Sequence, residues 1–112
     1  MPEKPHDLLH GTLDVLILKA LALGPLHGYA VSRWIEERTG GVFDIEDAAL
    51  YKALHRLEGQ GAIESAWGIS ESNRRARYYQ LTAPGRRLLR AKAKVWEQYA
   101  GAVSAVLQAA ER

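Results

Sequence analysis

One segment in the middle of the chain constrains the fold more than any other. Leu50, Leu54 and Leu57 recur at the spacing of one helical face, and Gly59 and Gly61 end that helix. The strand-like run AIESAWGI follows, then the polar loop SESNRRA, then a second strand-like run, RYYQLT. The segment therefore predicts a helix held on a core by one side and followed directly by a β-hairpin, whose loop is rich in arginine.

The flanking sequence predicts three further helices. Apolar periodicity and glycine or proline breaks predict these helices over residues 7–23 and 27–39 and from 83 to about 110, and they place the central helix over residues 46–58. The order helix, helix, helix, hairpin, helix is that of a winged helix-turn-helix followed by a long C-terminal helix. The predicted fold class is therefore mainly α with a small β-hairpin.

Two domains follow from this order. We assign residues 1–82 to a winged helix-turn-helix domain, and residues 83–112 to a C-terminal dimerisation helix. The helix over 7–23 belongs to the winged domain but is also expected to pack in the dimer.

Side chains at the helix starts give further predictions. Asp44 is expected to cap the helix over 46–58, with Asp47 in the position of a capping box. Thr82 is expected to cap the last helix, with Pro84 in its first turn, where a missing N–H costs nothing. His27 is expected to make a local hydrogen bond at a helix start.

The first and last helices carry more apolar surface than one small chain can cover. The first is apolar on nearly every side, and the last, about 40 Å long, has two adjoining apolar stripes. The simplest resolution is a two-fold homodimer. The residues predicted at the dimer interface are Leu9, Leu13, Leu16, Val95, Trp96, Tyr99, Val103, Val106 and Leu107. Trp96 has two interpretations: ordinary dimer packing, or the floor of a pocket for a flat aromatic effector.

Composition excludes several classes of protein. There is no cysteine, so neither a disulfide frame nor a thiolate metal site exists, and a reducing cytoplasm fits. Asp14 and Lys19 interrupt the apolar run LDVLILKALALG, which argues against a membrane span. We therefore expect a soluble cytoplasmic protein without a membrane partner.

The charge distribution is more informative than the net charge of +2. Residues 74–94 carry eight Lys or Arg and no acidic residue, a block that attracts phosphates, although many such stretches are only solvated surface. The central helix exposes Lys52, His55 and Arg56 opposite its leucines. Guanidinium groups at the hairpin tip match the oxygens of phosphate. The residues predicted from this pattern to bind double-stranded DNA are Lys52, His55, Arg56, Asn73, Arg74, Arg75 and Arg77.

Each part of this pattern has a simpler explanation when it is taken alone. The leucine spacing is core packing in any small helical protein, and an arginine-rich loop is more often solvated than bound to phosphate. The combination in one order is far more specific. A rival interpretation is a winged-helix protein-interaction module without DNA binding; Glu46 and Asp47 favour it, whereas Lys52 and Arg56 oppose it.

Catalysis has no candidate site in the sequence. The sequence has no nucleophile elbow, no glycine-rich phosphate-binding loop and no pair of acidic residues at catalytic spacing. We therefore predict that the chain is not an enzyme and needs no cofactor. His6 and His10 stand four residues apart, but no third ligand accompanies them. No metal site is therefore predicted.

From about Leu8 to Tyr99 the sequence resembles the PadR family of bacterial transcriptional regulators. The motifs that carry the resemblance are His27-Gly28-Tyr29, Leu50-Tyr51 with Leu54, Arg56-Leu57-Glu58 with Gly61, and Arg77-Tyr78-Tyr79 with Leu81-Thr82 and Gly85. The short tail resembles the smaller subfamily, which dimerises through its last and first helices.

The resemblance implies a homodimeric repressor that binds a pseudo-palindromic operator through the recognition helix and the wing, and by position it adds Tyr51 to the predicted DNA-binding residues. It also implies a small phenolic or flat hydrophobic effector. Two positions depart from the family pattern: Ala49 replaces a small polar residue, and Lys52 replaces a proline. The bases that the helix contacts are therefore not predicted.

Overall fold

A computed structural model of the chain describes residues 11–111, which form four helices and three strands. Their bounds are α1 Thr12–Ala22, β1 Leu26–His27, α2 Gly28–Arg38, α3 Asp47–Gly59, β2 Ile63–Ile69, β3 Arg75–Leu81 and α4 Ala83–Leu107. The mainly helical winged-helix class is confirmed. The predicted start of the first helix at residue 7 lies outside the described residues.

The core lies between α1, α2 and α3 and the base of the hairpin. Leu50, Leu54 and Leu57 are fully buried, as their spacing predicts, and Ala53 is buried beside them. Burying each leucine stabilises the fold by about 1.5–3 kcal/mol. The other buried apolar residues are Ile17, Leu18, Ala20, Leu21, Val31, Ile35, Ala62, Ile63, Tyr79 and Leu81. One side of α3 is therefore fixed, and its other side faces outward.

The sheet has a strand that was not predicted. Its order is β1-β3-β2 with antiparallel pairing, and β1 pairs Leu26 with Tyr79 and His27 with Tyr78. A two-residue strand is too short to leave an alternating pattern, so the segment reads in sequence only as a helix break. Because β1 leads directly into α2, the start of that helix is attached to the edge of the hairpin.

Two of the three predicted helix-start contacts are confirmed. The Thr82 hydroxyl accepts a hydrogen bond from the Gly85 N–H at 3.1 Å. The His27 Nδ1 accepts one from the Ala30 N–H at 3.1 Å. The predicted Asp44 cap is wrong, because α3 begins at Asp47 with Glu46 in the capping position and no side-chain cap. Asp44 therefore lies too far upstream to reach the first free N–H groups.

Helix α4 extends away from the body of the molecule. Its 25 residues span about 37 Å, more than the two shorter dimensions of the molecule, 32 and 21 Å. Its first turn is packed tightly: a Cβ on Gly85 would lie 1.9 Å from the Ala62 carbonyl oxygen. The helix ends at Leu107, slightly before the predicted residue 110, with Gln108 at its C-cap.

Candidate nucleic-acid interface

The outward side of α3 carries most of the predicted contact residues. Lys52, His55 and Arg56 are exposed opposite the buried leucines, and Tyr51 lies at the edge of this side with 48% of its surface exposed. A helix that contacts base edges and phosphates needs hydrogen-bond donors and positively charged side chains, and it needs to be held rigidly. The structure thus places these four residues on one helix surface.

Tyr51 packs against the start of α2. A Cβ added to Gly28 would lie 2.7 Å from the Tyr51 hydroxyl oxygen and 2.9 Å from its ring carbons, closer than atoms can approach. The bare backbone of Gly28 therefore provides the surface on which the Tyr51 ring rests. Gly28 was recognised in the sequence only as part of a motif, and its role depends on a contact between two helices.

Arg56 has a partner that the sequence does not predict. Its guanidinium donates a hydrogen bond to the carboxylate of Asp14 on α1, 42 residues away in sequence. Asp14 is only 7% exposed, whereas about half of the Arg56 side chain faces solvent. The pair joins the candidate recognition helix to α1.

The hairpin, β2 and β3 with their loop, forms the wing. Residues alternate across a strand, so Arg75 and Arg77 share the face of the sheet that carries Tyr79, whose ring is buried against the core. Arg75 and Arg77 also line one groove with Tyr51 of α3. Burial raises the pKa of the Tyr79 hydroxyl.

The loop of the wing contains the other two predicted residues. Asn73 adopts a left-handed conformation with φ 61°, which Asn tolerates better than most residues, so it shapes the turn. Arg74 is exposed next to it, and its backbone N–H donates to the Ser70 hydroxyl.

Arg77 is tied to the end of α3 through a small polar network. Its Nε donates to the Ser65 hydroxyl at 2.8 Å, and that hydroxyl donates to the Glu58 carboxylate at 2.5 Å. The Arg77 guanidinium also lies 3.8 Å from Glu58. This network connects the wing to α3 and holds their relative positions.

Trp67, which was not predicted as a site residue, lies among the wing arginines. The Arg75 guanidinium carbon is 4.4 Å from the centre of its ring, and that of Arg77 is 5.7 Å away. The tryptophan is 58% exposed on the same face of the sheet. Sequence alternation on β2 and β3 could have placed it there, but only once the strand register was known.

An open groove of about 940 Å³ separates the wing from the start of α2. Tyr51 and Trp67 line it, together with Arg33 on α2 and the three wing arginines. Arg33 donates to the Tyr29 hydroxyl at 3.1 Å and to Glu37 at 2.9 Å, and these hydrogen bonds raise the pKa of its guanidinium. The groove walls therefore carry four arginines beside aromatic surface, together with Glu71 and with Glu37, which pairs with Arg33.

The predicted dimer residues occupy a separate surface along α1 and α4. Leu13 and Leu16 are half-buried, whereas the predicted α4 residues are exposed, up to 78% at Leu107. Leu9 lies outside the described residues. Trp96 stacks on Tyr99 with ring centres 6.0 Å apart, and both line a groove of about 470 Å³ beside the start of α1. These dimer contacts and the effector pocket stay predictions.

The described part of the chain contains neither a group of metal-ligating side chains nor a membrane-spanning helix. Within residues 11–111, no three His, Cys, Asp or Glu side chains are grouped so that they could hold a metal ion. His6 and His10 lie outside this range. Among the same residues, the helices are too short or too polar to span a bilayer.

The family model described as the transcriptional regulator PadR-like family matches residues 17–91, from α1 into α4. The chain belongs to this PadR-like family. The resemblance seen in the sequence is thereby confirmed. An uncharacterized protein of Lysinibacillus sphaericus is 33% identical over 92 residues, which are 82% of this chain and 84% of that protein.

Solved structures of similar proteins have the same fold. A transcriptional regulator from Clostridium thermocellum is 33% identical, with a TM-score of 0.76 over 84% of this chain and 88% of that one. A PadR family regulator from Eggerthella lenta is 32% identical, with a TM-score of 0.74 over 89% and 85% of the two chains. The protein is therefore a PadR-like transcriptional regulator and not an enzyme, and the family implies DNA binding.

Proposed function

We propose that this PadR-like regulator binds a specific DNA duplex as a homodimer and represses a nearby operon. The single observation that carries the proposal is that the edge of α3 and the wing border the same groove. Tyr51, at the edge of the outward side of α3, lines this groove together with Arg74, Arg75 and Arg77 of the wing. A winged helix uses this arrangement to place one helix in the major groove while the wing contacts the backbone or minor groove.

The proposed contacts divide into two groups. Arg74, Arg75 and Arg77 bind phosphate oxygens and supply most of the affinity, with Asn73 shaping the loop that presents them. Lys52 and His55 contact base edges, and Tyr51 contacts DNA from the edge of the helix. Helix α3 would therefore determine which DNA sequence is bound.

Arg56 is proposed to have two roles. A guanidinium has five N–H donors, so it can hold Asp14 and still contact a phosphate at the edge of the groove. Its effect on DNA affinity therefore includes an effect on the position of α3.

The proposed dimer forms through residues 83–112, with α1 completing the seam. Pairing would remove the apolar stripe of α4 from water, at Val95, Trp96, Tyr99, Val103, Val106 and Leu107. A two-fold arrangement gives two recognition helices, and the half-sites of the operator should lie about one helical turn, or a multiple of it, apart.

A small flat aromatic effector is proposed to bind the groove beside Trp96. The groove is lined by Trp96 and Tyr99 from α4 and by Thr12 and Val15 from α1, so a ligand there contacts both helices. Binding that favours one angle between these helices would change the spacing of the two wings and release the operator.

The test is a gel shift with the DNA upstream of its own gene, repeated over a range of salt concentrations. The double variant Arg75→Ala with Arg77→Ala should bind every duplex more weakly. The slope of log affinity against log salt should decrease by about 0.9 for each phosphate that the variant no longer neutralises.

The matched control removes the same charge elsewhere. Arg90 and Lys94 are exposed on α4, so Arg90→Ala with Lys94→Ala should leave the salt slope near that of the parent. An equal decrease in both double variants would remove the wing from the proposal. A folded dimer that shifts no DNA even at low salt would favour the protein-interaction module, for which the exposed Glu46 and Asp47 are the relevant feature.

A further inference from the structure

Trp67 is a large aromatic side chain that stays exposed on the face of the hairpin that also carries the buried Tyr79. The Cα of Trp67 is the register partner of Arg77, and Arg75 is the diagonal neighbour, since Ile69 pairs with Arg75. Both arginines and Trp67 therefore project from the same face of the sheet. Side chains at directly opposed and diagonal positions are close enough to touch.

The two guanidinium groups contact the indole ring at cation–π distances. They lie 4.4 Å and 5.7 Å from the ring centre, within the roughly 6 Å over which the ring quadrupole attracts a cation. The ring remains 58% exposed, so the core does not explain its size. An aromatic side chain at this position instead attracts two cations that would otherwise repel each other.

The two arginines differ in what else holds them. Arg77 is bound to Ser65 and lies near Glu58, as described above. Arg75 makes no side-chain hydrogen bond or ion pair with any residue from 11 to 111, and the indole ring is the group over which it lies. The ring is therefore most important for Arg75.

We propose that Trp67 is a positioning residue of the wing, which orders the guanidinium groups of Arg75 and Arg77 for the phosphate backbone. This inference rests on the proposed DNA-binding function. An arginine that is already ordered loses less side-chain entropy when it binds a phosphate. Trp67 thus raises affinity without adding a charge or a contact of its own.

This role predicts an unusual combination of effects. Trp67→Ala keeps both cations, so the counterions released on binding, and hence the salt slope, should stay as in the parent. Affinity should fall by about two- to fivefold for each guanidinium that the ring orders. Trp67→Phe keeps an aromatic face and should retain most of the affinity, whereas Trp67→Leu keeps apolar bulk only and should behave like Trp67→Ala.

The experiment is a double-mutant cycle measured by fluorescence anisotropy of a labelled operator duplex. Trp67→Ala is introduced into the parent and into the Arg75→Ala, Arg77→Ala variant, and each dissociation constant is measured at several salt concentrations. Circular dichroism checks the fold of every variant, and Trp67→Leu replaces Trp67→Ala in the cycle if the Ala variant unfolds. We expect Trp67→Ala to have almost no effect once both arginines are gone, because no guanidinium remains to be ordered.

Three results would overturn the inference. If Trp67→Ala binds the operator with the same affinity as the parent protein, the ring orders nothing that binding needs. An equal loss in both backgrounds shows that Trp67 contacts DNA directly. An Arg75→Ala, Arg77→Ala protein with the affinity and salt slope of the parent overturns the wing's part in the proposed function together with this inference, whereas the first two results leave that function intact.

Discussion

At the scale of single residues, Gly28 shows how a missing side chain can set the position of Tyr51, a residue proposed to contact DNA. Tyr51 can rest on the start of α2 only because no Cβ stands there. The exposed part of its ring then lies at the edge of the groove between α2 and the wing. In the proposed complex the aromatic side chain would therefore already be in place before DNA binds, which lowers the entropy lost on binding.

Gly28→Ala should weaken operator binding while leaving the fold intact. The new Cβ would force the half-exposed Tyr51 ring to swing away, and one misplaced contact is worth about 1 kcal/mol, or about fivefold in affinity. The gel shift and a thermal melt measure the two effects. Gly59→Ala is the control, because a Cβ there meets nothing within 4 Å. A loss of affinity as large in the control would contradict the role of Gly28.

At the scale of helices and strands, the Asp14–Arg56 ion pair connects the helix proposed to contact DNA with the helix proposed to contact the effector. Asp14 is buried, and its neighbours Thr12 and Val15 line the groove beside Trp96. A shift of α1 therefore acts on α3 through a charged contact as well as through packed side chains. The pair gives the proposed effector a direct path to the recognition helix.

Arg56→Ala should lower the free energy of unfolding by about 1–3 kcal/mol, because it leaves the buried Asp14 carboxylate without its cation. Urea unfolding followed by circular dichroism measures this loss. Adding Asp14→Asn to Arg56→Ala should recover part of it, since the stranded charge is then gone. Lys52→Ala, an exposed cation on the same helix, should leave stability unchanged. Parent stability in Arg56→Ala would argue that the ion pair is unimportant.

Local patterns predicted much of the secondary structure. The spacing of Leu50, Leu54 and Leu57 indicated the buried side of α3, and Thr82 indicated the start of α4, because periodicity and capping depend on residues within a few positions. The failed cap at Asp44 was a local prediction placed a few residues from the true helix start.

Contacts between distant segments could not be predicted in the same way. Strand β1, the Asp14–Arg56 pair and the Trp67 contacts each join residues whose proximity depends on the finished fold. The exposed side of α3 was therefore predictable, whereas the interactions that orient Arg56 and Arg75 were not. The functions assigned to both arginines stay predictions until DNA binding is measured.

At the scale of the whole molecule, the exposed apolar stripe of α4 makes a prediction about assembly. Val103 lies in the stripe proposed to pair with a second copy, so Val103→Glu should bury a charge in the seam and give a monomer. Size-exclusion chromatography with light scattering measures the mass. A monomer can contact only one half-site of the operator, so the affinity of Val103→Glu for the operator should be lower than that of the dimer.

The control for this variant places the same charge one residue away. Ser104 is exposed on α4 and points about 100° around the helix from Val103, away from the stripe. Ser104→Glu should therefore remain dimeric. A folded, dimeric Val103→Glu protein would contradict the proposed seam, and a monomeric Ser104→Glu protein would show that any added acid disrupts the helix.

The tight first turn of α4 has a mechanical consequence. Gly85 sits against the Ala62 carbonyl, and the Thr82 hydroxyl donates to the Gly61 carbonyl at 2.6 Å, so the long helix is joined rigidly to the base of the wing. Because this joint is rigid and α4 is long, a small change in the tilt of α4 would displace the attached winged-helix domain by a larger distance. In the proposed dimer, a modest change in the crossing angle of the two α4 helices would therefore move each winged-helix domain as a rigid body.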